Sequence, residues 1–187
     1  PGVALGSKPL GAYSVPVKFI NGIDRLNGLV GRAAAWSVLL MALIGAGNAI
    51  ASYLEPLAGR RLASVALDEL QWYLFSILFL LAAPWALREN AHVRVDVMYG
   101  RLGVRGKAWT DVLGGALLLL PFCVYGVIVS YPAASESLRI GEVSPDPGGL
   151  SRWPIKAVLP VAFTLLALQG VANTVRAAHV LRRGDAS

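Results

Sequence analysis

Residues 112–135, VLGGALLLLPFCVYGVIVSYPAAS, decide the fold of this chain. They form a run of 24 residues that contains no Asp, Glu, Lys or Arg. A helix needs about 20 apolar residues to cross roughly 30 Å of hydrocarbon, because each residue adds about 1.5 Å along its axis. Three further runs, 33–54, 70–87 and 157–175, are also free of charged residues. Since lipid offers the backbone no hydrogen-bond partner, we expect each run to cross as a helix.

Composition supports the same class of protein. Hydrophobic residues make up 56% of the chain and charged residues only 15%, against roughly 45–50% apolar residues in soluble proteins. A soluble domain with four such runs would have almost no polar surface. The sequence therefore predicts an all-α membrane protein, with one membrane domain over residues 1–187 and four transmembrane helices. Residues 1–17 are expected to be a mobile lead-in.

The distribution of Lys and Arg predicts the orientation. Twelve of the 17 lie in the N-terminal segment, the second loop and the C-terminal tail, which share one side of the membrane in a four-span chain. Positive charge collects on the cytoplasmic face, so both termini are expected to be cytoplasmic. The net charge of +6 then reflects topology and anionic lipid rather than nucleic-acid binding.

Short interfacial helices are expected beside the spans. Apolar residues recur at near-helical spacing over 18–30, which predicts either a helix on the inner membrane surface or a helical extension of the first span. A second interfacial helix is predicted from Asp96 to Leu102, ending near Gly103.

The polar residues within the spans point to structure rather than chemistry. Asn48, Gln169 and Asn173 are expected to form hydrogen bonds between helices, each contributing about 1 kcal/mol. The runs contain no ionisable acid or base of the kind that ion pathways need, and the chain has no phosphate-binding loop or nucleophile–base pair. We therefore predict no catalytic, substrate-binding or metal site, no cofactor, and the role of an accessory subunit.

The stretch 88–96, RENAHVRVD, is unusually polar for a segment between two apolar runs. We expect it to be an interfacial anchor that contacts lipid headgroups or another subunit, since the forked donors of Arg suit phosphate. An alternative is a loop that only adds positive charge on the inner side. The predicted anchor residues are Arg88, Asn90, His92, Arg94 and Asp96.

A haem-binding or electron-transfer membrane anchor is the alternative function. Four-helix membrane subunits can hold haem between two histidines, and His92 and His179 both fall on the predicted inner side. An absorbance spectrum distinguishes the two functions.

Several segments together resemble a known family. The stretch His92–Asp96 follows Arg88 and Asn90, and Glu69 opens the second span just before aromatic residues. The segment between the third and fourth runs carries SPDPGGL at 144–150, followed by Trp153-Pro154 and Lys156. The last span carries LLALQG at 165–170. Across most of its length, the chain resembles the small membrane subunit of tripartite ATP-independent periplasmic transporters (the DctQ type).

This resemblance implies a multi-pass protein of the bacterial cytoplasmic (inner) membrane. Its expected partners are the large membrane subunit, which carries the substrate and sodium sites, a periplasmic substrate-binding protein, and membrane lipids. The small subunit would pack against the scaffold of the large one and anchor it, in a sodium-driven importer of organic acids. The region from Asp146 to Lys156 hints at 2-oxo acids.

On these terms the outer loop, which connects the third and fourth spans, is a candidate docking surface for the binding protein. The alternative is an ordinary connector between two helices. The predicted docking residues are Glu136, Glu142, Asp146, Trp153 and Lys156. Glu69 joins Asn48, Gln169 and Asn173 as a predicted polar contact between helices.

Overall fold

A computed structural model describes residues 17–89, 99 and 102–183. Four long helices follow one another: α1 (Val17–Ala58), α2 (Val65–Arg88), α3 (Val104–Arg139) and α4 (Trp153–Arg183). All four are long and apolar enough to cross a membrane. Apart from these helices and Tyr99, which is also helical, the described residues form loops with one isolated β-bridge, between Val143 and Ser151. The prediction of an all-α protein with four membrane-spanning helices is confirmed.

The helices extend beyond the charge-free runs, because a charged residue ends a lipid crossing but does not end a helix. Residues 18–30 form the first turns of α1 and continue into the first span without a break. Of the two predicted alternatives, they therefore form the helical extension of the first span. Their position relative to the membrane surface stays a prediction. The predicted lead-in lies outside the described residues except for its last residue, Val17, which begins α1. Most of the predicted helix from Asp96 to Leu102 also lies outside them, and Gly103 precedes the first residue of α3.

Glycines of α1 allow α2 to pack closely against it. A Cβ added at any of three positions would come within 3 Å of an α2 side chain, so a larger residue would require that side chain or the helix itself to move. From one of these glycines to the next along α1, the facing residue moves back along α2 by the same number of positions. The two helices therefore keep one antiparallel register over the length of the pair. The facing residues are Gly28 with Arg88, Gly31 with Trp85, and Gly45 with Gln71.

The pair α3 and α4 follows the same principle. Gly115 faces Thr174, Leu119 faces Gly170, and Gly126 faces the ring of Phe163, again in one antiparallel register. The turn Gly114–Leu119 is π-helical and ends just before Pro121. This relaxes the hydrogen-bond ladder where proline has no N–H to donate.

Helices α2 and α4 occupy the middle of the arrangement: α1 packs on α2, α2 on α4, and α3 on α4. Much of the outward surface consists of large apolar side chains such as Leu43, Phe79 and Leu118, as expected of helices surrounded by lipid. Most buried polar side chains lie near the two ends of the bundle, where they form the clusters described next.

Candidate functional site: polar clusters at the two ends of the bundle

We name the outer cluster and, below, the inner cluster after the orientation predicted from the sequence. The outer cluster consists of Glu69, Ser144, Leu150 and Arg152. Glu69 lies in the first turns of α2, and the residue is only 4% exposed. Its Oε2 accepts a hydrogen bond from the backbone N–H of Leu150 at 2.5 Å. Its Oε1 accepts hydrogen bonds from the Ser144 hydroxyl and, at 3.3 Å, from Arg152 Nη2. A buried carboxylate is stable only with such partners, so the cluster binds the loop between α3 and α4 to the start of α2.

Glycine and backbone bonds shape this loop for the carboxylate. A Cβ at Gly149 would lie 2.8 Å from Glu69 Oε2, so only glycine lets the loop approach this closely. Gly148 has a φ of +82°, a conformation that L side chains rarely adopt. The N–H of Ser144 donates to the carbonyl of Leu150 at 2.9 Å and closes the loop on itself.

Two aromatic residues of α2 hold the other side of the loop. The Tyr73 hydroxyl donates to the carbonyl of Ser151 at 3.0 Å. The guanidinium of Arg152 lies 5.1 Å from the centre of the Trp72 ring, within the range of a cation–π interaction. Arg152 therefore contacts both the Glu69 carboxylate and an aromatic ring of the same helix.

Glu142 and Lys156 form an ion pair across the base of the loop. The hydrogen bond from Lys156 lowers the pKa of the Glu142 carboxyl below its usual value. The N–H of Arg152 also donates to the Glu142 carbonyl at 2.8 Å. The base of the loop is thus tied to the first turn of α4.

Asn48 organises the short connection between α1 and α2. Its Nδ2 donates to Asp68 Oδ1 at 2.7 Å, and its Oδ1 accepts from the N–H of Ser64 at 2.9 Å. Glu55 accepts from the N–H groups of Leu62 and Ala63 at 3.1 and 2.9 Å. The connection therefore satisfies its backbone with side chains of α1 rather than with water alone.

The inner cluster consists of Asp24, Asn27, Gln169, Asn173 and Arg176. Gln169, which is fully buried, lies at its centre. Its Nε2 donates to Asp24 Oδ1 at 3.0 Å and to Asn173 Oδ1 at 3.2 Å. Its Oε1 accepts from Asn27 Nδ2 at 2.8 Å. These bonds join α1 to α4.

An ion pair and a backbone contact complete the inner cluster. Arg176 pairs with Asp24 and also donates to Asn173 Oδ1 at 2.9 Å. Asn173 Nδ2 donates to the carbonyl of Leu87 at 3.2 Å, near the end of α2, where the last carbonyls have no partner within their own helix. The inner cluster therefore links α1, α2 and α4.

The four residues predicted to form polar contacts between helices divide into two groups. Asn48, Gln169 and Asn173 each bond to another helix. Glu69 instead bonds to the loop, because at the start of α2 the loop is what faces it. Sequence reasoning missed Asp24, Asn27 and Arg176, which lie outside the charge-free runs. Their spacing was the available signal: Asp24 and Asn27 are three residues apart, as are Asn173 and Arg176, so each pair shares a helix face.

The other predicted site residues are placed as follows. Arg88 is the last residue of α2 and lies against Gly28, whereas Asn90, His92, Arg94 and Asp96 lie outside the described residues. Glu136 pairs with the exposed Arg139, and both Asp146 and Trp153 are exposed. His179 lies on α4, and its proposed haem partner His92 is outside the described residues.

These arrangements define a helical membrane subunit whose described buried charges bond to groups of the same chain. Glu69 pairs with Arg152, and the partly buried Asp24 pairs with Arg176. Within 17–89, 99 and 102–183, no group of three His, Cys, Asp or Glu residues is placed to hold a metal ion. The arrangement can fix helices and a loop in place.

The profile of the family described as "Tripartite ATP-independent periplasmic transporters, DctQ component" matches residues 57–180. The chain belongs to this family, and the resemblance noted in the sequence is confirmed. It is a small permease component of a tripartite transporter and a multi-pass protein of the inner membrane. No curated protein and no solved structure matches the chain.

Proposed function

We propose that this chain is the accessory small permease subunit of a sodium-coupled, binding-protein-dependent importer of organic acids. It packs against the scaffold of the large membrane subunit and anchors it in the bilayer, with both termini cytoplasmic. It carries no catalytic or substrate site of its own. The observation that carries this proposal is that its buried charges and amides bond to one another within the chain.

A subunit that moves a charged solute must keep polar groups available for that solute within its spans. In this chain the Gln169 amide and the Asp24 and Glu69 carboxylates already have partners in α1, α4 or the outer loop. Groups used in this way hold helices together. This use of polar residues supports a scaffold role.

The exposed apolar faces of the helices support packing against lipid and a large membrane partner. Leu118, Phe122 and Tyr125 of α3 are all more than half exposed, as is Leu43 of α1. Surfaces of this kind are stable only in contact with acyl chains or with other membrane helices. Helix association in lipid relies on close packing, which a bundle fixed at both ends favours.

We also propose that the outer loop docks the periplasmic binding protein. The loop is bound to α2 by the outer cluster, so its exposed acids are presented by a fixed backbone. Asp146 of the loop is exposed, as is Glu136 in the last turn of α3, whereas Glu142 forms an ion pair with Lys156. Charge reversal at Glu142 alone would therefore alter the loop as well as the surface.

A cleaner docking test separates charge from loop structure. The E136K/D146K variant reverses two exposed acids and leaves the Glu142–Lys156 pair intact, so association with the binding protein is expected to weaken. The matched control is the exchange E142K/K156E, which keeps an ion pair and the net charge. Unchanged association of E136K/D146K, measured by surface plasmon resonance on the assembled membrane complex, contradicts docking through these acids.

Co-purification tests the proposed function as a whole. The tagged chain is expressed with the large membrane subunit, solubilised in mild detergent and captured. We expect the large subunit to be retained, and its melting temperature to be higher in the complex than alone. Capture of the chain without the large subunit contradicts the proposal. A Soret absorbance band in the purified chain would indicate the haem-binding alternative instead.

A further inference from the structure

Two arginines from neighbouring helices lie near the same end of the α1–α2 pair. Arg32 is the last charged residue before the first charge-free run, and Arg88 is the first charged residue after the second. Because α1 and α2 pack in antiparallel register, with Gly28 facing Arg88, Arg32 lies about one helical turn from Arg88 along the pair. The ends of the apolar runs place them at the level of lipid phosphates.

Glycine makes room for one of these side chains. A Cβ at Gly28 would lie only 2.5 Å from Arg88 Nη1, so the guanidinium rests directly on the α1 backbone. Arg32 follows Gly28 by four residues and therefore shares its face of α1. Helical side chains lean towards the N-terminus, so Arg32 leans over the turn that contains Gly28. Arg32 therefore flanks the position at which Arg88 rests on α1.

Their positive charge is only partly balanced by the described residues. Arg88 approaches Glu89 at 3.7 Å, which is too long for a hydrogen bond, and its side chain is 34% exposed. Arg32 is exposed and has no ion-pair partner among the described residues. Asp24, the nearby acid of α1, is already paired with Arg176. Two guanidinium groups about one helical turn apart favour an anion between them.

The surroundings favour an anion that carries acyl chains. Leu29 and Trp36 are 58% and 69% exposed, and they lie on the same side of α1 as Arg32. Lys18 and Arg25 precede Arg32 at intervals of seven residues, which keeps all three within about 20° per step on the helix surface. A basic stripe therefore continues from Arg32 away from the apolar run, with apolar side chains next to it.

We propose that Arg88, seated on Gly28, and Arg32 together bind the phosphate of an anionic phospholipid. The forked donors of the two guanidinium groups contact phosphate oxygens, while Leu29 and Trp36 contact the glycerol and acyl region. The site goes beyond the proposed transport function and does not depend on it. Its location in the inner leaflet follows from the proposed orientation.

Native mass spectrometry of the full-length chain in detergent tests the site. Dioleoylphosphatidylglycerol is titrated against wild type and R32Q/R88Q, and dioleoylphosphatidylcholine is titrated in parallel as the zwitterionic lipid. We expect wild type to prefer phosphatidylglycerol, and R32Q/R88Q to bind it about tenfold more weakly. The control R60Q/R61Q removes two exposed cations at the other end of α1 and should keep the wild-type affinity.

A second variant keeps every charge. In G28A the new Cβ displaces the flexible end of Arg88, so phosphatidylglycerol affinity is expected to fall while net charge and folding are retained. Equal binding of both lipids by wild type, or equal losses in R32Q/R88Q and R60Q/R61Q, would overturn the site. Displacement of the lipid by 10 mM inorganic phosphate would overturn a lipid as the occupant and assign the site to free phosphate.

Discussion

The outer and inner clusters both place a fully engaged polar side chain at one end of the bundle, but they hold different things. In the outer cluster, Glu69 of α2 binds groups of a loop, including the backbone N–H of Leu150. In the inner cluster, Gln169 of α4 binds side chains of α1 and of its own helix. The outer cluster therefore sets the shape of an exposed surface, and the inner cluster sets the packing of helices.

This difference matches two demands on a small transporter subunit. In the proposed function, the outer loop presents one shape to the periplasmic binding protein, and the helices keep one packing for the large membrane subunit. If the two clusters are independent, damage to one should leave the property governed by the other unchanged. The predictions below test that separation.

The largest effect is expected from Glu69→Ala. The substitution removes the acceptor for Leu150, Ser144 and Arg152 together, so the loop should open locally while the helices stay packed. Hydrogen–deuterium exchange at the Leu150 amide should accelerate about tenfold or more. Glu136→Ala, which removes an exposed acid of α3, should leave that exchange rate unchanged. An unchanged rate at Leu150 in Glu69→Ala would mean that the carboxylate does not hold the loop.

Gln169→Leu is expected to have the converse effect. It leaves the Asn27 amide without its best acceptor in a buried position, which should lower the free energy of unfolding by about 1–3 kcal/mol. Unfolding in sodium dodecyl sulfate measures this change. The control is Thr164→Val, since Thr164 is exposed and bonds only within α4, and it should cost less than about 0.5 kcal/mol. Faster exchange at Leu150 in Gln169→Leu would show that the clusters are coupled.

A glycine substitution tests the register of α3, the helix that neither cluster reaches directly. A Cβ at Gly126 would meet the Phe163 ring at 2.7 Å, so Gly126→Ala should destabilise the bundle by about 1–2 kcal/mol through overpacking. Gly47 has open space around it, and Gly47→Ala should be neutral or stabilising by up to about 1 kcal/mol. Equal effects of the two substitutions in the same unfolding assay would contradict the assigned packing of α3 on α4.

The smallest effect is a pH dependence at the base of the loop. The pKa of Glu142 lies below its usual value of 4.5 because Lys156 stabilises the carboxylate. The stabilisation is therefore present above pH 4.5 and is lost as the pH falls through the lowered pKa. Exchange at the Arg152 amide, corrected for its intrinsic rate, should rise only in that acidic range. Lys156→Met should flatten the dependence, and the same profile in both proteins would exclude the ion pair as its cause.

The four spans could be predicted from the sequence because each span depends on a single property, the absence of charge over about 20 residues. It was less informative at the ends of the helices. Residues 18–30 and 104–111 carry charges and are still helical, since helix formation tolerates polar residues outside the lipid.

The clusters were harder to predict because they depend on which helices are neighbours. Gln169 and Asn173 stood out as polar residues in an apolar run, and both bond across helices. Asp24 and Arg176 are 152 residues apart and lie outside the runs, so only their proximity in the fold identifies them as a pair. The spacing of Gly28 and Gly31 was visible as well, but its meaning required the facing side chains of Arg88 and Trp85.

Reconstituted uptake tests the central claim most directly. Proteoliposomes that contain the large subunit, with or without this chain, receive the binding protein, an inward sodium gradient and a panel of radiolabelled organic acids that includes a 2-oxo acid. We predict sodium-dependent uptake of at least one acid only when this chain is present, with the same acid preference in wild type and Gln169→Leu. Equal uptake by the large subunit without this chain would contradict the account.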